Sequence, residues 1–353
     1  MNRSLLVTTG VVRDPIYLEH DTGTYHPESP RRLQVLYRML DEEPLPSLCQ
    51  VSPRRAGLEE ICYVHTESYV RHVASLENRA RASLDPDTLL SPRSFQAALF
   101  AAGGVLSGID LVMEGELDNG FALVRPPGHH AEADYGKGFC IFNNIAVGAE
   151  HALRHHGVER ILIVDWDLHH GNGTQHSFYQ DNRVLYFSTH QYPYYPGTGG
   201  VHETGTGAGE GFTVNVPMEI GCGDGEFYRV YSSILEPIAR CFAPQLVLVS
   251  AGFDAYMVDP LGGMELTPAG FAALARLVMG IAADHAGGRL LLALEGGYNL
   301  EGLQECVKQV LKQLAGEPLP VSPDLLVQRA DSRVERTIQQ VREVQGRYWS
   351  CFS

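Results

Sequence analysis

The chain of 353 residues contains no Cys-x-x-Cys pair, and its seven cysteines are odd in number and scattered. That excludes a disulfide framework and argues against a thiolate zinc site, and it fits a reducing compartment. Basic charge is also short. Lys and Arg total 27 against 42 Asp and Glu, a formal net charge of -15. No basic stripe for nucleic acid is expected, whereas an acidic field attracts cationic ligands. Long hydrophobic runs are not expected either. MNRSLLVTTGVV has only a short apolar run with Gly10 and Asp14 close behind. It reads as a first strand, not a signal peptide, and no stretch is expected to reach membrane-spanning length. Internal repeats and low-complexity segments are absent too. What remains is an acidic, bacterial-type, cytoplasmic protein, 44% hydrophobic, large enough for an enzyme core.

Five short apolar runs do not alternate: FALV (121–124), RILIVD (160–165), RVLYFS (183–188), QLVLVS (245–250) and RLLLAL (289–294). Such runs read as strands buried on both faces, hence a parallel sheet. Helical stretches are expected at 142–157, 225–242 and 266–288, with Gly157 and Gly287 as stops and Thr267-Pro268 as an N-terminal cap. The early region is more helical, with helices at 29–43, 67–84 and 91–115. The expected fold is α/β: a single domain, 1–316, with a central, mainly parallel sheet and helices on both faces. Residues 317–353 are expected to form a helical tail packed on the same domain or on a partner.

Each run leads into glycine plus polar or aromatic residues: RPPGHHAEADYGKGFC, DWDLHHGNG, STHQYPYYPGTGG, SAGFDAYMVDP and EGGYN. In open α/β sheets ligands sit beyond the carboxyl ends of the strands, so these loops are expected to build one site. Four ionisable groups follow ILIV within six residues, and buried charge is costly unless paired or metal-bound. If the chain stays extended through residue 169, Asp165, Asp167 and His169 share a face. Asp167 and His169 then offer two zinc ligands, and Asp254, ending another strand, is the natural third.

RPPGHHAEADYGKGFCIFNN, DWDLHHGNGTQ, AGFDAYMVDPLGG and EGGYN resemble the histone deacetylase family in its bacterial class II branch, with the arginase–deacetylase fold. HDTGTYHPESPRRL is similar to that branch's N-terminal loop. The resemblance spans residues 14 to 310 and implies one zinc per chain on Asp167, His169 and Asp254. It implies that His130 moves protons, that His129 is its electrostatic partner oriented by Asp165, and that Tyr298 stabilises the developing oxyanion. Asn172 stands at the position of His130's partner, where an aspartate would make the imidazole more basic.

The resemblance also implies potassium. One site would use Asp165, Ser188 and the carbonyls of Asp167, His169 and Thr189. A second would use the carbonyls of Phe178, Asp181, Val184 and Phe212. Phe139 and Tyr195 match the aromatic walls of a lysine tunnel, with Gly138 and Gly296 in the same channel, Leu261 at the rim and Asp87 as a rim carboxylate. The expected activity is zinc-dependent removal of acetyl or other acyl groups from acyl-lysine peptides or proteins. An acetylpolyamine or another small acylated amine is the alternative substrate. Apolar Leu261 and an early loop, 67–95, too short for a dimerising insertion favour peptides. A binuclear manganese hydrolase would need carboxylates where Gly171 and Tyr256 stand. A protein that only binds acyl-lysine is disfavoured by the presence of Tyr298 and all three metal ligands. A homo-oligomer is open; nucleic-acid and membrane partners are not expected.

Overall fold

In a computed structural model describing residues 7–45 and 47–352, eight strands form one sheet. They are β1 (Thr9–Val12), β2 (Leu48–Val51), β3 (Asn119–Ala122), β4 (Ile161–Asp165), β5 (Val184–Gln191), β6 (Thr213–Met218), β7 (Leu246–Ala251) and β8 (Leu290–Leu294). Their spatial order is β2-β1-β3-β8-β7-β4-β5-β6, and every pairing is parallel. β1, β3, β4, β5, β7 and β8 are buried at every residue. Non-alternating Val, Ile and Leu runs have that fate when helices cover both faces. The first strand is Thr9–Val12; residues 1–6 of the stretch expected to form it lie outside the described residues.

Register places the site. Asp165 is level with Ser250, Ser250 with Ala293, and Ala293 with Ala122. The carboxyl ends of β4, β7, β8 and β3 are therefore neighbours, although the strands are far apart in sequence. Their loops converge over one edge of the sheet.

Helix Asn144–His155 starts on an Asn143 side chain that accepts from Ala146 N. Helix Pro268–His285 is capped by Thr267, which accepts from Gly270 N, with Pro268 in its first turn. Gly157 and Gly287 follow the ends of these two helices with φ of 64° and 61°.

Some expectations need correction. The helix expected at 67–84 stops at Ser75. Ala82–Ser83 instead pairs antiparallel with Leu89–Leu90, around a turn in which Asp85 Oδ1 accepts from the N–H groups of Asp87 and Thr88. The 225–242 helix is broken by a wide turn, Tyr231–Leu235, just before Pro237, whose nitrogen donates no hydrogen bond. Helix Ser94–Glu114 is, by length and composition, apolar enough to cross a membrane, contrary to expectation. In the fold most of this helix is buried, and it packs against Asn144–His155. Its many Ala, Gly and Leu residues suit a helix buried over most of its surface, with Asp110 and Glu114 at the more open end.

The tail covers the β6 edge of the sheet. Val334, Ile338 and Val341 of helix Arg333–Gln345 are buried in the main core. Gln345 Nε2 donates to Thr213 O at 2.9 Å, and Trp349 Nε1 donates to Gly211 O at 2.8 Å. An edge so covered offers no free ladder for another chain. All seven cysteines are free.

Candidate metal and amide-hydrolysis site

β4 ends at Asp165, so the chain does not remain extended to residue 169 as expected. Each aspartate instead turns the backbone beyond it. Asp165 Oδ1 accepts from Asp167 N at 3.2 Å, and Asp167 Oδ1 accepts from His169 N at 2.8 Å. Local carboxylate-to-backbone bonds of this kind favour turns over strand. The three groups still converge. His169 Nδ1 lies 3.0 Å from Asp254 Oδ2 and 3.2 Å from Asp167 Oδ1. One ligand atom from each of Asp167, His169 and Asp254 lies within 4.8 Å of the others.

Two buried carboxylates facing one imidazole form an unbalanced set. Burial and the neighbouring Asp167 charge push Asp254 up to about 7. Burial works against the charge on His169, yet Asp167 and Asp254 raise it to about 9. A dication seated among these donors would neutralise both carboxylates, so the donor set fits a divalent metal. Gly296, expected among the substrate contacts, holds this set from behind instead. Its N–H donates to Asp167 Oδ2 at 2.8 Å, and a Cβ there would lie 2.3 Å from Asp254 Oδ2 and 2.6 Å from Asp167 Oδ2.

The paired histidines are held by different partners. His129 Nδ1 is 3.1 Å from Asp165 Oδ2, and Tyr186 Oη donates to the same oxygen. Burial alone would depress His129, but the charges of Asp167 and Asp165 outweigh it and raise it well above the ordinary imidazole range. His130 goes the other way. Burial, then the charges of His129 and His169, hold it well below that range, against a weaker upward pull from Asn172. Two adjacent imidazoles are thus driven apart, one towards the cation and one towards the neutral base. Asn172 Nδ2 donates to His130 O and to Glu132 Oε1, which fixes its Oδ1 towards His130 Nδ1. His130 then carries its proton on Nδ1 and leaves Nε2 as the acceptor.

Over these groups lies a narrow cavity of about 190 Å³, lined by Asp87, His130, Gly138, Phe139, His169, Tyr194, Tyr195, Leu261 and Tyr298. Pockets for drug-sized ligands run to roughly 300–1,000 Å³, so this one suits a slender chain. Gly138 and Phe139 both adopt positive φ, 56° and 69°, and a Cβ on Gly138 would lie 2.5 Å from the His130 ring. Phe139 packs edge-on against His26 and Tyr298. Burial and the nearby Asp254 charge hold the Tyr298 hydroxyl well above its ordinary pKa, so it stays a donor.

Ser188 stands level with Asp165 across β4 and β5, and its Oγ is 2.9 Å from His190 Nδ1. Thr189 Oγ1 meets Tyr231 Oη. Phe178, Asp181, Val184 and Phe212 gather at the start of β5. The Phe178 carbonyl already accepts from Asp181 N, the Phe212 carbonyl from Tyr186 N, and the Asp181 carboxylate pairs with Arg183.

Several site residues escaped the sequence reading. Glu295, fully buried and pushed up to about 7 by burial, accepts from Gly128 N and His129 N and so anchors the loop bearing the histidine pair. Arg32, with its Cζ 5.1 Å from the Tyr298 ring centroid, donates to the carbonyls of Gly297 and Glu295. Asp259 accepts from the N–H groups of Tyr298, Asn299 and Leu261. Tyr194 stacks on His169.

The histone deacetylase domain matches residues 26–314. A probable deacetylase of Archaeoglobus fulgidus is 41% identical over 98% of this chain and its own full length. Histone deacetylase 5 of Arabidopsis thaliana is 43% identical over 88% of this chain, and histone deacetylase HDA1 of Saccharomyces cerevisiae 39% over 93%. The chain spans 50% and 49% of the lengths of those two proteins. The solved HDA15 HD domain superposes with a TM-score of 0.90 at 36% identity, covering 99% of this chain and 97% of that one. With its parallel sheet, convergent loops and donor set, the chain belongs to the histone deacetylase family of hydrolases.

Proposed function

We propose that the protein hydrolyses acyl-lysine side chains of peptides or proteins, with zinc held by Asp167, His169 and Asp254. The observation that carries this reading is the narrow cavity that brings His130, His169 and Tyr298 together beside the aromatic rings of Phe139 and Tyr195. When bound, the zinc supplies Lewis-acid polarisation of the amide carbonyl and a lowered pKa for water. Phe139 and Tyr195 grip the apolar lysine stem and exclude solvent from it. His130, neutral and held by Asn172, accepts a proton from the attacking water at Nε2 and returns it to the leaving amine. His129, held charged by Asp165, keeps that handover electrostatically poised. Tyr298 donates its hydroxyl to the oxygen on which negative charge develops.

Potassium is part of the same reading. The level placement of Asp165 and Ser188 supports the first site, and the gathering of residues at the start of β5 supports the second. Asp87 is the observation that favours the alternative, an acetylated polyamine, because a carboxylate at the cavity attracts a second ammonium.

The test offers zinc-loaded protein an acetyl-lysine peptide, a longer-chain acyl-lysine peptide and acetylspermidine side by side, with His130→Ala as the blank. Turnover of a peptide above the blank is the expected result. Preference for acetylspermidine would reassign the substrate, and no turnover of any of the three would overturn the reading.

A further inference from the structure

A second cluster of metal-binding character lies at the far end of helix Asn144–His155. The first turn of that helix abuts the catalytic loop, where Asn144 Nδ2 donates to Pro126 O. Its last two turns and cap carry His151, His155 and His156. Twelve residues of helix span about 18 Å, so the two ends are separate places.

His151 Nε2 and His156 Nε2 lie 2.6 and 2.7 Å from one atom, Asp110 Oδ1, on the packed helix Ser94–Glu114. These three residues form the other group, among the described residues, whose donor atoms all lie within 4.8 Å of one another. Asp110 Oδ2 turns away towards Arg54, 3.8 Å off, so Oδ1 belongs to the two imidazoles. His155 is not a member, because its Nε2 is taken by Tyr63 Oη at 3.0 Å.

The partnering of His151 is incomplete. His151 is 6% exposed, and its Nδ1 is buried with no hydrogen-bond partner. The nearest charged group is Glu60 Oε1, 3.8 Å away and itself paired with Arg54. With Nε2 directed at Asp110, Nδ1 is left facing the Glu60 carboxylate without a hydrogen bond. Metal at Nε2 places the ring proton on Nδ1, where it faces Glu60. An imidazole ligand backed by a carboxylate is the usual arrangement around protein-bound metals.

We propose that Asp110, His151 and His156 form a second divalent transition-metal site, taking zinc or a chemically similar ion, that clamps helix Ser94–Glu114 to helix Asn144–His155. Two imidazole nitrogens and one carboxylate oxygen suit such ions, and a small spreading of the side chains admits one. Asp110 and His156 are partly exposed, which leaves a route of entry and a fourth position for water. The site is independent of catalysis and of the identity of the substrate.

The test is a cobalt(II) titration of tag-free, full-length protein stripped with chelator, read by visible absorption and by elemental analysis. Wild type is expected to bind two equivalents, and Asp254→Ala to retain the second. Adding His156→Ala or Asp110→Asn to Asp254→Ala is expected to weaken the retained ion at least tenfold. His156→Ala alone, with its fold checked by circular dichroism, is expected to bind one equivalent and keep its amidase activity. One equivalent in wild type, or a second equivalent indifferent to both His156→Ala and Asp110→Asn, would overturn the proposal.

Discussion

His130 Nδ1 lies 2.8 Å from Asn172 Oδ1, so a neutral amide stands where a carboxylate would hold an imidazolium. Replacing Asn172 by Asp places a negative charge against that nitrogen and favours the protonated ring. His130 would then lose its free acceptor at higher pH. The acid limb of the kcat/KM profile is expected to move upward by about one pH unit or more. An unmoved limb would show that His130 does not set it.

Tyr298→Phe deletes one hydroxyl from the wall of the cavity. Loss of a single donor to a developing oxyanion costs roughly 10²–10³ in kcat. The variant is expected to show that loss with unchanged metal content, measured by amine release and by elemental analysis. Normal turnover would remove the tyrosine from the mechanism.

Metal retention is expected to depend on the carboxylates and on the backbone behind them. Asp254→Ala removes a ligand and Gly296→Ala forces a methyl against Asp254 and Asp167. Both are expected to lose metal from the catalytic site on dialysis against a mild chelator, while the fold persists by circular dichroism. Full retention by Asp254→Ala would mean that the third ligand is another residue.

Glu28 stabilises the floor of the site. Its carboxylate pairs with Arg125, Arg32 and His20, and all four side chains are almost completely buried. Burial would raise Glu28, but the Arg125 charge outweighs it and holds the carboxyl well below its usual range. Glu28→Gln leaves two buried guanidinium groups undercompensated and is expected to cost about 3–5 kcal/mol in denaturant unfolding. In wild type the folded pKa lies below the unfolded one. Glu28's stabilisation is therefore complete above the ordinary glutamate pKa and is lost as acid takes the pH down through the folded value.

His65 contributes in a higher window. Its Nδ1 donates to Glu132 O at 2.8 Å and its Nε2 accepts from Asn143 N at 2.9 Å, so only the neutral ring fits. Burial pushes it down to about 4 from an ordinary 6.5. Stability is complete above 6.5 and drains as pH falls towards 4, by about 3 kcal/mol in total. Urea unfolding at pH 7 and pH 5 is expected to show a smaller drop for His65→Gln than for wild type.

Much of this was legible from the chain. Buried strands such as ILIVD leave little choice but a parallel sheet, and carboxylates at or just beyond the ends of two such strands supply the donor set in which a metal is proposed. Other features were hidden because their causes are not local. Thr213–Met218 carries Asn215 and Pro217, which interrupt the apolar run, yet it pairs along β5 and closes the sheet. Arg32 and Glu28 sit near the start of the chain and act on Gly297 and Arg125, contacts that only the folded topology creates. Glu295 carried the same signal as Asp165, a carboxylate at the end of a buried strand, and was passed over ahead of two glycines. The turn after Asp165 depends on side chains bonding to backbone two residues on, which strand periodicity does not register.

Asp259 gives the chain a constraint on its own diversification. One carboxylate accepts from the backbones of Tyr298 and Asn299 and from that of the rim residue Leu261. A lineage that reshapes this stretch of the rim to admit a different acyl donor disturbs the hydroxyl donor in the same move. New selectivity is thus cheaper to acquire at Tyr195 and Asp87, which line the same cavity and are not among the groups that carboxylate holds.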